Sequence, residues 1–195
     1  MKYPEFYNEV ETIVVKDALS DFLGAFENGI IEYSYLDMVK LAGHSCPTVA
    51  GAYLICRTAL KHLYPDSMAQ RGEIAIEFKN QADEGVTGVV SNVFSFITGA
   101  TAKSGFKGLN GQFVRHSLMR YGASISGDYR FIRKDTGQSV ELIYSPFPPS
   151  AQLKELMQKC LTQSATLEET RLFKDLWQER VRMILQSEAE VISVL

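Results

Sequence analysis

Apolar and polar positions along this chain follow two periods, and the switches between them mark out its elements. Ile74, Ile76 and Phe78 are spaced by two, with Glu73, Glu77 and Lys79 beside them, which predicts a half-buried strand. Val49, Ala52, Tyr53, Cys56, Ala59, Leu60 and Leu63 cover nearly every side of a helix, so a buried helix is expected there. Pro47 suits its first turn, where a missing N–H costs nothing, and Tyr64-Pro65 should end it. Val86, Val89, Val90, Val93, Phe94 and Ile97 form a second helical face, closed by Thr98-Gly99-Ala100. Further strands are expected over Glu11 to Asp17, Phe113 to Tyr121, Asp128 to Arg133 and Ser139 to Tyr144. The last two flank Lys134-Asp135-Thr136-Gly137, a hairpin turn signal. Leu19, Phe22, Leu23 and Phe26 recur at helical spacing ahead of Gly29. Ile30 to Tyr35 reads as a short strand or an extended connector, and Asp37 to Leu41 as a helical turn ending near Gly43.

Beyond residue 145 the pattern changes in kind. Pro146, Pro148 and Pro149 form a stiff joint, and Ser150 can cap a helix from Ala151 to Leu161. Thr166 and Glu169 make a capping box before a helix that carries Leu172, Phe173, Leu176, Trp177, Val181 and Ile184 on one face. Helix, strand, helix and three strands predict an α+β fold with a mixed or antiparallel sheet over residues 1–145. Residues 146–195 should form a helical extension, packed on that domain or on a dimer partner. An open sheet with an amphipathic helical pair fits a homodimer.

Composition narrows the function classes. Of 195 residues, 46% are hydrophobic and 22% charged, as in an ordinary globular chain. A net charge of −3 gives no general attraction for phosphate backbones, which disfavours nucleic acid as a partner. No apolar run approaches the roughly 18 residues that cross a bilayer, and the first residues lack the apolar stretch of a signal peptide, so no membrane association and a cytoplasmic location are expected. Cys46, Cys56 and Cys160 are odd in number with no Cys-x-x-Cys among them. This excludes a zinc ribbon or a thioredoxin-like pair and fits reduced thiols.

The chemistry concentrates at His44-Ser45-Cys46-Pro47. A sulfur at a helix start meets unpaired N–H groups and the positive end of the macrodipole. An imidazole two residues away adds a borderline-soft donor, suited to zinc and also to iron, nickel or copper. A buried thiol beside a capping histidine is the plainer alternative. Two ligands do not complete a tetrahedral shell. His116, on the strand expected after the glycine-rich stretch, is the leading candidate for a third, with an ordinary half-exposed strand histidine as the competing reading. His62, near a helix end, should lie at the surface, and Cys56, mid-helix, in the core. Asp83 and Glu84 could offer oxygen or simply form a solvated loop pair. The stretch Lys103 to Gly111 fails both phosphate-loop patterns. Its lysines and free amides, with Arg115 and Arg120 nearby, could still attract a small anionic ligand.

Gly43-His44-Ser45-Cys46-Pro47 resembles the Gly-His-x-Cys-Pro-Gly signature of the FmdE family of formylmethanofuran dehydrogenase proteins. The resemblance continues through the following helix, the Ile74–Phe78 strand, the second apolar helix and Thr98-Gly99, over roughly residues 30 to 145. It implies the same order of elements, a metal centre with His44 and Cys46 among its ligands, and an accessory or redox-associated role beside molybdenum or tungsten enzymes. The chain departs from the family at Ala42, where members often carry a further histidine, and at Ala100, where they often carry cysteine. Asn92 stands where many have aspartate. These departures keep two other readings open: a non-catalytic interaction or structural domain that kept the fold, and an enzyme with Cys46 as nucleophile and His44 as its base.

Overall fold

The computed structural model describes residues 1–195. A 3-10 turn at Glu5–Glu9 leads into β1 (Ile13–Lys16), α1 (Ala18–Phe22), a second 3-10 turn at Glu27–Gly29, β2 (Ile30–Tyr33) and α2 (Tyr35–Ala42). The central run is α3 (Pro47–Leu63), β3 (Ala69–Gln70), β4 (Ile74–Phe78) and α4 (Thr87–Thr98), followed by β5 (Met119–Arg120), β6 (Tyr129–Arg133) and β7 (Ser139–Tyr144). The chain closes with α5 (Ala151–Leu161), α6 (Leu167–Gln186), α7 (Glu188–Val191) and β8 (Ile192–Val194). The fold is α+β, as the periodicity predicts.

Two sheets form. A small one has the order β2-β1-β3, and a five-stranded one has the order β5-β4-β6-β7-β8. In the larger sheet β4 and β5 run parallel and every other pair is antiparallel. α3 and α4 pack side by side on this sheet, and α6 packs on α3. The all-round apolar surface of α3 explains its place: neighbours cover it on several sides, and Val49, Ala50, Tyr53, Leu54, Ile55 and Cys56 are fully buried. Residues after 146 share this core, since Val181, Ile184, Leu185, Val191 and Ile192 belong to the same buried cluster.

Local sequence sets most boundaries. Ser34 and Asp37 form a reciprocal capping box at the start of α2, and Thr166 and Glu169 do the same for α6. Inward residues of β4 alternate strictly with half-exposed ones. Three expectations change. The helix expected through Phe26 stops after Phe22, because Gly24 turns the chain at φ +64°, and Phe22, Leu23 and Phe26 stay exposed. The strand expected from Phe113 to Tyr121 shrinks to β5, because Phe113 and Ser117 take positive φ values that a strand cannot hold. β8, with no alternation of its own, pairs with β7 in the register Leu142↔Val194.

One buried charge cluster joins the two sheets. Asp17 is 3% exposed and caps α1 by accepting N–H bonds from Leu19 and Ser20. It also accepts from Arg71 Nη1 at 2.8 Å and Arg115 Nη2 at 2.6 Å. Arg71 reaches on to the carbonyls of Ile97 and Phe96 at the end of α4. Gly72 makes room for this: at φ +87°, an added Cβ would fall 1.4 Å from Arg115 Nη1. Burial pushes the Asp17 carboxyl up, but the Arg71 hydrogen bond, the Arg115 charge and the Ser20 N–H together hold it below the usual carboxylate range.

Replacing Asp17 with Asn leaves two guanidinium groups without their counter-charge, and should cost about 3–5 kcal/mol in urea unfolding at neutral pH. Because the folded-state pKa is depressed, the Asp17 contribution is present above the unfolded value of about 4 and fades as pH falls below it. Asp17→Asn should therefore show a shallower loss of stability on acidification than the parent chain. A variant as stable as the parent at neutral pH would contradict this role.

Candidate metal-ligand loop at the start of the buried helix

The loop Gly43–Cys46 joins α2 to α3. Gly43 ends α2 in the left-handed conformation, at φ 76°, and its N–H bonds the Val39 carbonyl. Cys46 is the N-cap of α3, with extended backbone, and Pro47 occupies the first turn. Cys46 Sγ accepts the Val49 N–H at 3.5 Å, so a sulfur takes the place that a serine or aspartate oxygen usually holds. The side chain is half-buried. His44 is exposed, with Nδ1 2.9 Å from the Ala42 carbonyl oxygen. A carbonyl only accepts, so Nδ1 carries the proton in the neutral ring and Nε2 is left with the lone pair.

Four neighbours pin the loop. Tyr35 and Ser45 hydroxyls lie 2.9 Å apart, and Trp177 Nε1 donates to the Ser45 carbonyl at 3.0 Å. Gln178 Nε2 reaches the same carbonyl at 3.4 Å. The Tyr144 hydroxyl, at the end of β7, donates to the Pro47 carbonyl at 2.6 Å. Burial pushes the Tyr35 and Tyr144 phenols well up, so both stay protonated. Gly51 lets Tyr144 lie flat on the helix, because an added Cβ would fall 2.2 Å from its ring.

The other candidate ligands lie elsewhere. Arg133 Nη1 bonds the Leu63 carbonyl and the Gly72 N–H bonds the Thr98 carbonyl, so α3 and α4 both end where β4 begins. Cys46 lies at the opposite end, separated by the 17 residues of α3, about 25 Å. His116 sits in a loop and not on a strand. The neighbouring backbone at Arg115 and Ser117 is bonded to Thr101 and Ala102, close to the far end of α4. Its Nδ1 lies 3.0 Å from Ser117 Oγ. Ala100 is fully buried at that same far end, so the cysteine which the resemblance implies there would not reach Cys46 within one chain.

His62 is exposed, with Nδ1 2.9 Å from the Thr58 carbonyl oxygen, and Cys56 is buried, its thiol pushed up by burial. Asp83 and Glu84 are exposed in the loop before α4, where Glu84 accepts the Gln81 N–H. Arg115 is buried against Asp17, and Arg120 pairs with Glu77 at the surface.

No group of three His, Cys, Asp or Glu side chains is gathered in a way that could hold a metal. His44 and Cys46 supply a nitrogen and a sulfur suited to a borderline-soft ion, but two donors do not close a tetrahedral shell. These two side chains alone do not make a closed zinc centre.

A family model described as FmdE, Molybdenum formylmethanofuran dehydrogenase operon, matches residues 41–193. The match starts in the last turn of α2, takes in the whole His44–Cys46 loop and ends within β8. It therefore extends beyond the residue-145 limit over which the sequence motifs carry the resemblance. No curated protein matches the chain.

Gly51→Ala should displace Tyr144 and break its bond to the Pro47 carbonyl, at a cost of about 1–3 kcal/mol. Peptide mapping after iodoacetamide treatment should then show faster alkylation of Cys46 in Gly51→Ala than in the parent, with Cys56 protected in both. Unchanged stability and unchanged Cys46 labelling would mean that Tyr144 does not hold the loop.

Proposed function

The chain belongs to the FmdE family, and from that membership we propose that it is an accessory protein of a molybdenum formylmethanofuran dehydrogenase-type system, presenting His44 and Cys46 as an open two-point site for zinc or another borderline-soft metal ion. The observation that carries this reading is the tie between His44 Nδ1 and the Ala42 carbonyl, on an imidazole two residues before the sulfur to which Val49 donates at the start of α3. Ligating histidines commonly donate their other ring nitrogen in this way, which fixes the tautomer and turns the free nitrogen outward. The remaining ligands would come from outside these two side chains: water, a small molecule or a partner protein. The ion would supply Lewis acidity or a shared attachment point. The protein's own part is to hold one imidazole and one thiolate in a pinned loop and to leave the rest of the shell open. An open site of this kind favours exchange over permanent retention.

A second reading follows from the same incompleteness. With Ala42 beside the loop and no third donor, the chain could serve as an interaction domain whose fold outlived its metal. A partner protein held with equal affinity by the parent and by His44→Ala would favour that reading.

The first reading predicts that the chain binds one zinc at equilibrium, measured by competition with a mild chromogenic chelator. Cys46→Ala should bind almost none, His44→Ala should bind at least about tenfold more weakly, and Cys56→Ala should behave like the parent. Equal zinc affinity in the parent and Cys46→Ala would contradict the proposal.

A further inference from the structure

Eleven phenylalanines occur in the chain, and the four that are exposed, Phe22, Phe26, Phe96 and Phe106, all stand around the Asp17 cluster. Leu23 and Leu109 extend the same surface. We propose that this patch is the interface between two copies of the chain, related by a two-fold axis, with α1 of one copy against the Lys103–Gly111 stretch of the other. The inference goes beyond the metal reading and does not depend on it.

Bonds beneath the patch hold its parts together. Asp17 caps α1, whose last residue is Phe22. Arg71 bonds Asp17 and also the Phe96 carbonyl near the end of α4. Arg115 bonds Asp17 through its side chain, and its backbone N–H donates to the Phe106 carbonyl at 2.9 Å. The Phe22 and Phe113 rings lie 5.4 Å apart, so α1 and the segment after the glycine-rich stretch touch directly. Three segments distant in the chain thus expose phenylalanines over one ionic cluster. A contiguous apolar surface of this kind is rare on a monomer and marks a place of association.

Size and charge name the occupant. Phe22 is 65% exposed, Leu23 64% and Phe26 53%. With phenylalanine side chains of roughly 200 Å², the six residues together offer about 600 Å² of apolar surface. A standard interface buries about 800 Å² per partner, some 60% of it apolar, and a second copy seated here would reach that size. Asp21 and Glu27 stand exposed on the α1 side, and Lys103 and Lys107 on the loop side. None of the four pairs with an opposite charge inside the chain. A two-fold axis sets the patch against itself, so the acids of one copy meet the lysines of the other at two equivalent places. An anionic membrane would instead be repelled by Asp21 and Glu27. Cys46 lies at the opposite end of α3, about 25 Å away, so pairing here leaves both His44–Cys46 loops open.

Analytical ultracentrifugation of the full chain tests the assignment. The parent should sediment at twice the 21.8 kDa of one chain. Its dimer Kd should be about 1 μM or tighter. Leu23→Glu changes a side chain that the monomer leaves in water, and should weaken the dimer at least about tenfold. Two charge-reversed variants probe the arrangement, one with Asp21→Lys and Glu27→Lys, the other with Lys103→Glu and Lys107→Glu. Each alone should be monomeric where the parent is dimeric, and an equal mixture of the two should regain the dimer, because only the mixed pair sets opposite charges together at both places. Cys46→Ala should dimerise as the parent does, which separates this surface from the metal site. The assignment is overturned if the parent is monomeric at about 100 μM, if Leu23→Glu dimerises like the parent, or if the mixed variants stay monomeric. A monomeric parent that sediments with phosphatidylglycerol vesicles would give the patch to a membrane and overturn the assignment as well.

Discussion

The hydrogen bond from the Tyr144 hydroxyl to the Pro47 carbonyl, made over the bare backbone of Gly51, is the constraint on which the candidate site rests. It ties the first turn of a buried helix to the last residue of a sheet strand. That carbonyl belongs to the residue after Cys46, so a shift of the ring would carry the sulfur with it. Trp177 and Gln178 add donors from α6 to the Ser45 carbonyl, and Tyr35 holds the Ser45 hydroxyl. The loop is short and exposed at His44, yet three surrounding elements fix its backbone. These contacts leave the backbone of the loop ordered before any ligand arrives.

The far end of the molecule is held by charge. Asp17 collects two guanidinium groups from segments 54 and 98 residues away, and links the small sheet, the end of α4 and the loop before β5. Both arginines are largely removed from water, so removal of one partner is far more costly than the net strength of the cluster implies. The polar chemistry of the chain is therefore divided. One end of the α3–α4 pair carries a buried ionic cluster, and the other carries the start of both helices and the His44–Cys46 loop.

Much of this architecture is legible in the sequence, for identifiable reasons. The start of α3 follows from Pro47, its burial from apolar residues on every side, and β4 from strict alternation. These are local signals, and local physics decides them. What is not legible depends on partners distant in the chain. β8 is a strand only because β7 offers it an edge. Arg115 reads as a source of positive potential beside the glycine-rich stretch, and only the fold brings Asp17 to it. His116 reads as a strand residue because its neighbours include apolar and β-branched side chains, but positive φ at Phe113 and Ser117 bends the segment into a loop at the wrong end for Cys46. The placing of His44 and Cys46 at the start of α3 is legible from Pro47 and the apolar run after it. The Ala42 carbonyl that orients His44 is not.

The most direct test of the central claim is X-ray absorption at the zinc edge of the zinc-loaded protein, which reads the atoms bound to the ion. One sulfur scatterer at about 2.3 Å, accompanied by one imidazole and otherwise light oxygen or nitrogen ligands, is the expected spectrum. A shell with no sulfur, or with two or more, would contradict a site built from His44 and Cys46 of one chain.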